Sequence, residues 1–117
     1  MTSSFLIVDE DRNFREALAI ALRLDGHEAA VAATSEEGCT RLRERRFTCC
    51  VVDVHLIGAD AVLETAAASD ARAVATGPYA EILAAVSARH RHAAVLAKPF
   101  HAFDLSRLLE RPTRAAG

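Results

Sequence analysis

The chain has 117 residues, 51% of them apolar, and its 14 basic and 16 acidic side chains leave a net charge of −2. That length supports one domain with a buried core and not two, and the near balance of charge offers no field for non-specific nucleic-acid binding. No apolar run approaches the roughly 20 residues of a membrane span, and the polar start Met1-Thr2-Ser3-Ser4 is no signal peptide, so a soluble cytoplasmic domain is expected.

Phe5-Leu6-Ile7-Val8 reads as a short buried strand, and it ends in three acids, Asp9-Glu10-Asp11. Phe14, Ala17, Leu18, Ala21, Leu22 and Leu24 then recur at helical spacing until Asp25-Gly26 closes the pattern. His27 to Ala33 is a weaker strand, nearer a sheet edge. Thr34 and Glu37 form a capping-box pair that opens a second helix carrying Cys39 and Leu42. Arg41, Arg43, Arg45 and Arg46 crowd its later turns, where cations suit the helix dipole and solvent.

Cys49-Cys50-Val51-Val52-Asp53-Val54-His55-Leu56 is the central stretch. Its apolar run has the composition of a strand covered on both faces, and it ends in a carboxylate. Asp60 is expected to cap a third helix through Val62, Leu63 and Ala66. Arg72 to Thr76 reads as a strand broken by Gly77-Pro78, and Ile82, Leu83 and Val86 mark a fourth helix, with Tyr79 as an ordinary helix-start aromatic. Ala93 to Ala97 is a fifth strand, followed by Lys98-Pro99-Phe100. Leu105, Leu108 and Leu109 give a last helix that Pro112 stops, with Phe100 and Phe103 expected in the packing. Five strands alternating with five helices predict a single α/β domain, (βα)5 and doubly wound, with a parallel sheet covered on both faces. Cys39, Cys49 and Cys50 are too few and too irregular for a disulfide frame or a zinc site, and neighbours in a strand point to opposite faces. They read as small core residues in a reducing compartment. His90 and His92 have no third ligand in view and are not taken as a metal site.

In a parallel sheet every strand's C-terminal end lies on one edge, where open α/β sheets bind ligands. That edge gathers Asp9-Glu10-Asp11, Asp53, Thr76 and Lys98. Lys98 is the single lysine beside 13 arginines, which points to a need for a compact ammonium there. Crowded carboxylates repel unless a cation lies among them, and oxygen ligands with room for water suit Mg²⁺, or Mn²⁺. The most buried acid would then be free to attack phosphorus, with the metal, Lys98, and Thr76 with backbone N–H groups each taking one phosphoryl oxygen.

Leu6-Ile7-Val8-Asp9-Glu10-Asp11, Val51-Val52-Asp53, Ala75-Thr76-Gly77 and Lys98-Pro99-Phe100, in that order, resemble the receiver domain of two-component response regulators. The interval from Thr76 to Lys98 is also of the family's length, and the likeness runs over essentially the whole chain, residues 1–117, with 111–117 as a tail or the start of a linker. The resemblance implies a CheY-like, flavodoxin-like sheet in the order 2-1-3-4-5. It implies Asp53 as phosphoacceptor, charged by a histidine kinase or phosphotransfer protein, with Thr76 and Lys98 contacting the phosphoryl group. Mg²⁺ would lie among Glu10, Asp53 and the His55 backbone carbonyl, with Asp9 beside them, and Lys98-Pro99 would be cis. The expected response is a shift of the face made by helix four, strand five and helix five; the domain modifies itself and is no enzyme on free substrates. A C-terminal output domain, DNA-binding among the options, and a homodimer are partners the family admits.

Three positions depart from the family's pattern. Val95 stands where an aromatic switch residue is usual, Ile57 where a proline is, and Ala61 where a glycine is. They favour an alternative, a pseudo-receiver that docks a partner without phosphorylation; the intact acids, Thr76 and Lys98 oppose it. A phosphatase using Asp as nucleophile is disfavoured because Asp53-Val54-His55 lacks a second acid.

Overall fold

A computed structural model describes residues 2–110. Its elements alternate strictly: β1 (Ser4–Val8), α1 (Arg12–Leu24), β2 (Glu28–Ala32), α2 (Ser35–Glu44), β3 (Cys49–Asp53), α3 (Ala59–Ala68), β4 (Arg72–Gly77), α4 (Ala80–Arg89), β5 (Ala94–Ala97) and α5 (Ala102–Glu110). All strand pairs are parallel, and the sheet order is β2-β1-β3-β4-β5. This is the CheY-like arrangement that the family resemblance implies. The tail and the Pro112 stop lie outside the described residues.

β3 is buried along its whole length, as expected of a central strand without polar alternation. Successive side chains feed two cores. Leu6, Val8, Cys50 and Val52 point toward Cys39 and Leu42 of α2 and Val62, Leu63 and Ala66 of α3. Phe5, Ile7, Cys49 and Val51 point the other way, toward Leu18, Ala19 and Leu22 of α1 and Ala102 and Leu105 of α5. Cys49 and Cys50 therefore serve opposite cores, and all three cysteines are buried free thiols.

Local chemistry sets the element ends. The Thr34 hydroxyl accepts the Glu37 N–H at 3.1 Å, and the Glu37 carboxylate reaches back to the Ala33 N–H at 2.8 Å. α1 closes on Gly26 at φ +89°, which lets the Gly26 and His27 N–H groups bond the Arg23 and Leu22 carbonyls. A left-handed residue just past a helix is the ordinary site for glycine. Two expectations need correction. Asp60 does not cap α3; Gly58 holds that place at φ +83° without a side-chain bond, and Asp60, within the first turn, bonds to His90 instead. Phe103 is not core: it is 66% exposed, with the Arg107 guanidinium 5.8 Å over its ring. The arginines near the end of α2 are solvated surface partners: Arg41 faces Glu37, Arg45 faces Glu28 and Arg46 faces Asp70. His92 lies against the Leu63 carbonyl, so the two histidines have protein partners.

Candidate functional site

Asp9 follows Val8, whose register partner is Val52, and Asp53 follows Val52. Asp53 is in turn the register partner of Thr76. Lys98 joins them through its backbone N–H, which donates to the Gly77 carbonyl at 2.8 Å, and through its ammonium, which donates to Asp9 Oδ2 at 2.8 Å. Asp9, Asp53, Thr76 and Lys98 thus share the C-terminal edge of the sheet. The Lys98-Pro99 bond is cis.

The two buried acids differ in what they leave free. Asp9 is 1% exposed and has both oxygens engaged, Oδ2 by Lys98 and Oδ1 by the Asp11 N–H at 2.9 Å. A carboxylate so deeply buried needs this cation and this donor to offset its lost hydration. Asp53 is 7% exposed, and its Oδ1 accepts the His55 N–H at 3.1 Å. Its Oδ2 has no hydrogen-bond partner among the described residues, and because no buried side-chain oxygen there lacks a partner, Oδ2 is open to solvent. Thr76 is fully buried, and its hydroxyl donates to the Val52 carbonyl at 3.3 Å. Glu10 is exposed, without a side-chain hydrogen bond or ion pair to any described residue. No three His, Cys, Asp or Glu side chains among the described residues form a ready-made metal cluster.

At the rim, His55 meets the Tyr79 ring edge-on, with centroids 5.9 Å apart. Tyr79 opens α4 as a helix-start residue, 56% exposed.

No family model matches the chain. Over 57 residues it is 42% identical to the transcriptional regulatory protein AfsQ1 of Streptomyces coelicolor, a match covering 49% of this chain and 25% of that protein. The chain thus aligns with about a quarter of its curated relative. It resembles the crystal structure of a response regulator from Burkholderia pseudomallei with a phosphorylated aspartic acid, calcium ion and citrate, at 30% identity and a TM-score of 0.76, over 92% of this chain and 66% of that one. It resembles the receiver domain of NtrX from Brucella abortus at 27% identity and a TM-score of 0.77, over 92% of this chain and 95% of that one. The chain is a CheY-like response-regulator receiver domain.

Three residues of this receiver take places near the site that motif reading did not assign. Asp11, grouped in sequence with the acidic cluster, is the N-cap of α1 and accepts the Phe14 N–H at 3.1 Å. Arg15 donates from Nη1 to the carbonyls of Asp9 and Glu10, both at 3.2 Å, and so ties the acidic loop to α1. The signal for Arg15 was present: α1 begins with Arg12 and Arg15 and has no acid in its first turn, against the helix dipole, so a cation there has another task. Phe14 looks in sequence like one more apolar helix position, yet the Lys98 ammonium lies 4.2 Å from its ring centroid.

Proposed function

We propose that this receiver accepts a phosphoryl group onto Asp53 from the phosphohistidine of a histidine kinase or phosphotransfer protein, in a Mg²⁺-dependent step of cytoplasmic two-component signalling. The observation that carries this reading is the contrast between the acids: Asp9 is saturated, whereas Asp53, nearly as buried, keeps Oδ2 open beside Thr76 and the Lys98–Asp9 pair. Oδ2 attacks phosphorus, the P–N bond of the donor breaks, and the imidazole leaves with its electron pair and takes a proton. An acyl phosphate remains on Asp53.

Phosphoryl transfer asks for position and for neutralisation of the equatorial oxygens. The Lys98 ammonium has three N–H donors and gives one to Asp9, so it can serve a phosphoryl oxygen as well. Thr76 would turn its hydroxyl from the Val52 carbonyl to another oxygen. The donor set fits Mg²⁺ or Mn²⁺: the Glu10 and Asp53 carboxylates and the His55 carbonyl are hard oxygens, and such ions are held by one or two carboxylates with water completing the shell. No three-side-chain cage is needed for that. Asp9, already engaged, fits an outer position beside these donors and not direct ligation. When bound, the ion would supply charge neutralisation to the phosphoryl group. The Burkholderia structure, with its phosphorylated aspartic acid and calcium ion, supports this pairing of chemistry and cation.

The signal would leave by the face of α4, β5 and α5, where Val95 is 37% exposed at the edge strand. An output domain beyond this receiver, with DNA-binding among the options, would read that face; the match to a transcriptional regulatory protein supports an output of that kind. The test is incubation with a small phosphodonor and Mg²⁺: the intact mass should rise by one phosphoryl group, and Asp53→Asn should prevent it. An unchanged wild-type mass would leave the pseudo-receiver reading, which Val95 favours by offering no ring to swing between buried and exposed positions.

A further inference from the structure

The Lys98 ammonium is held from two sides. Asp9 Oδ2 accepts one N–H at 2.8 Å, and the Phe14 ring centroid lies 4.2 Å away. Phe14 is itself met edge-on by Phe100, with centroids 5.5 Å apart and ring planes at 72°. Phe100 stands two positions after Lys98, across Pro99. The segment that carries the lysine therefore also braces the ring on which its ammonium rests.

An aromatic face attracts a cation through its quadrupole and leaves the charge in place. A second carboxylate at this position would neutralise the ammonium, and an aliphatic side chain would leave its long, flexible stem free to swing. We infer that Phe14 is a positioning residue for phosphoryl transfer: its ring face fixes the Lys98 ammonium at the acceptor site with the charge intact and N–H donors to spare, and Phe100 fixes the ring. The inference rests on the reading of Asp53 as acceptor. A cation–π contact at a site still reached by solvent corresponds to a rate effect of roughly two- to fivefold.

Site-directed incorporation of mono-, di- and trifluorinated phenylalanine at position 14 drains the ring face of negative charge while nearly keeping its shape. The rate of Asp53 phosphorylation by acetyl phosphate with Mg²⁺ should fall step by step along that series. Phe14→Leu should reach the full loss, and Phe14→Tyr should restore the rate. Because Lys98 is the only lysine, isotope-labelled lysine gives one set of NMR signals. Its side-chain protons should be moved upfield by the ring current in the wild type and in Phe14→Tyr, but not in Phe14→Leu. A flat rate across the fluorinated series, with Phe14→Leu still slow, would show simple packing and overturn the inference, as would a Lys98 signal without the ring-current shift. If the wild type takes no phosphoryl group, the acceptor reading fails and this inference with it. A wild type that is phosphorylated while the series stays flat sinks the inference alone.

Discussion

Removing the Lys98 ammonium should cost more than neutralising its partner. At 2.8 Å and an effective dielectric of about 20, two unit charges attract by about 6 kcal/mol gross. Much of that only offsets the dehydration of Asp9, whose side chain is 1% exposed against 20% for Lys98. Breaking a fully buried pair costs roughly 3–5 kcal/mol. Since Lys98 touches solvent and Asp9 keeps the Asp11 N–H, Lys98→Met should destabilise by about 2–3 kcal/mol. Asp9→Asn should cost less, about 1 kcal/mol, because the amide oxygen can still accept one N–H and the spare ammonium can turn to water. The double variant should recover part of the Lys98→Met loss, a coupling of about 1–2 kcal/mol. Urea unfolding of the four proteins, with the slope checked for constancy, measures all three quantities. Equal losses in the two single variants, or simple addition in the double, would refute the argument that the stranded buried carboxylate is the expensive species.

Three other outcomes follow from the geometry. Asp70 sits at φ +62° just past α3, where its N–H and that of Ala71 bond the Ala67 and Ala66 carbonyls. Asp70→Gly should therefore stabilise by roughly 0.5–1 kcal/mol, the relief of the left-handed strain less the entropy of a glycine, while the 4.0 Å pair with Arg46, exposed on both sides, contributes little; an unchanged urea midpoint would contradict this. The hydrogen bond from His90 holds the Asp60 carboxyl below its ordinary value of 3.8, helped by Arg89. A lowered folded-state value adds stability above the unfolded one that is lost as pH falls through the folded one, so His90→Phe should flatten this part of the acid unfolding profile, and an unaltered profile would exclude the coupling. Burial pushes the Cys49 thiol up to about 12 and Cys50 well above its usual 9.0, so alkylation near neutral pH should reach both only after unfolding, as mass spectrometry with and without urea would show.

What the sequence made legible, and what it hid, divides along the range of the interactions. β3 is recognisable because a strand covered on both faces has no polar alternation to hide it. The α2 cap is recognisable because Thr34 and Glu37 act within one turn. The edge residues could be gathered without coordinates because parallel pairing alone sends every strand end to the same side. Asp60 misleads for the opposite reason: it suits a cap, but its partner His90 is 30 residues away and Gly58 had already turned the chain. Phe103 misleads because an aromatic among leucines on a short helix looks buried, yet α5 turns Ala102 and Leu105 inward and leaves Phe103 on its exposed side. The Lys98–Asp9 pair spans 89 residues, and the choice of Asp9 over Asp53 as the resting partner depends on tertiary geometry that no local pattern records.

That resting choice bears on how the site can be both stable and reactive. If Lys98 were held by Asp53, accepting a phosphoryl group there would first require breaking that pair. With the ammonium on Asp9 instead, the dehydrated acid that does no chemistry takes the cation, and the acid proposed to react retains an open oxygen. The ammonium still has donors for an incoming phosphoryl group, so the proposed transfer would add a partner to Lys98 without removing one. On the proposed function, stability is vested in Asp9 and reactivity in Asp53. The Asp9→Asn protein offers a direct check on that division: urea unfolding should reveal a modest loss, while Asp53, its open oxygen untouched, should still take a phosphoryl group from a small donor. Complete loss of phosphorylation in a folded Asp9→Asn protein would mean that the two tasks are not separable in this way.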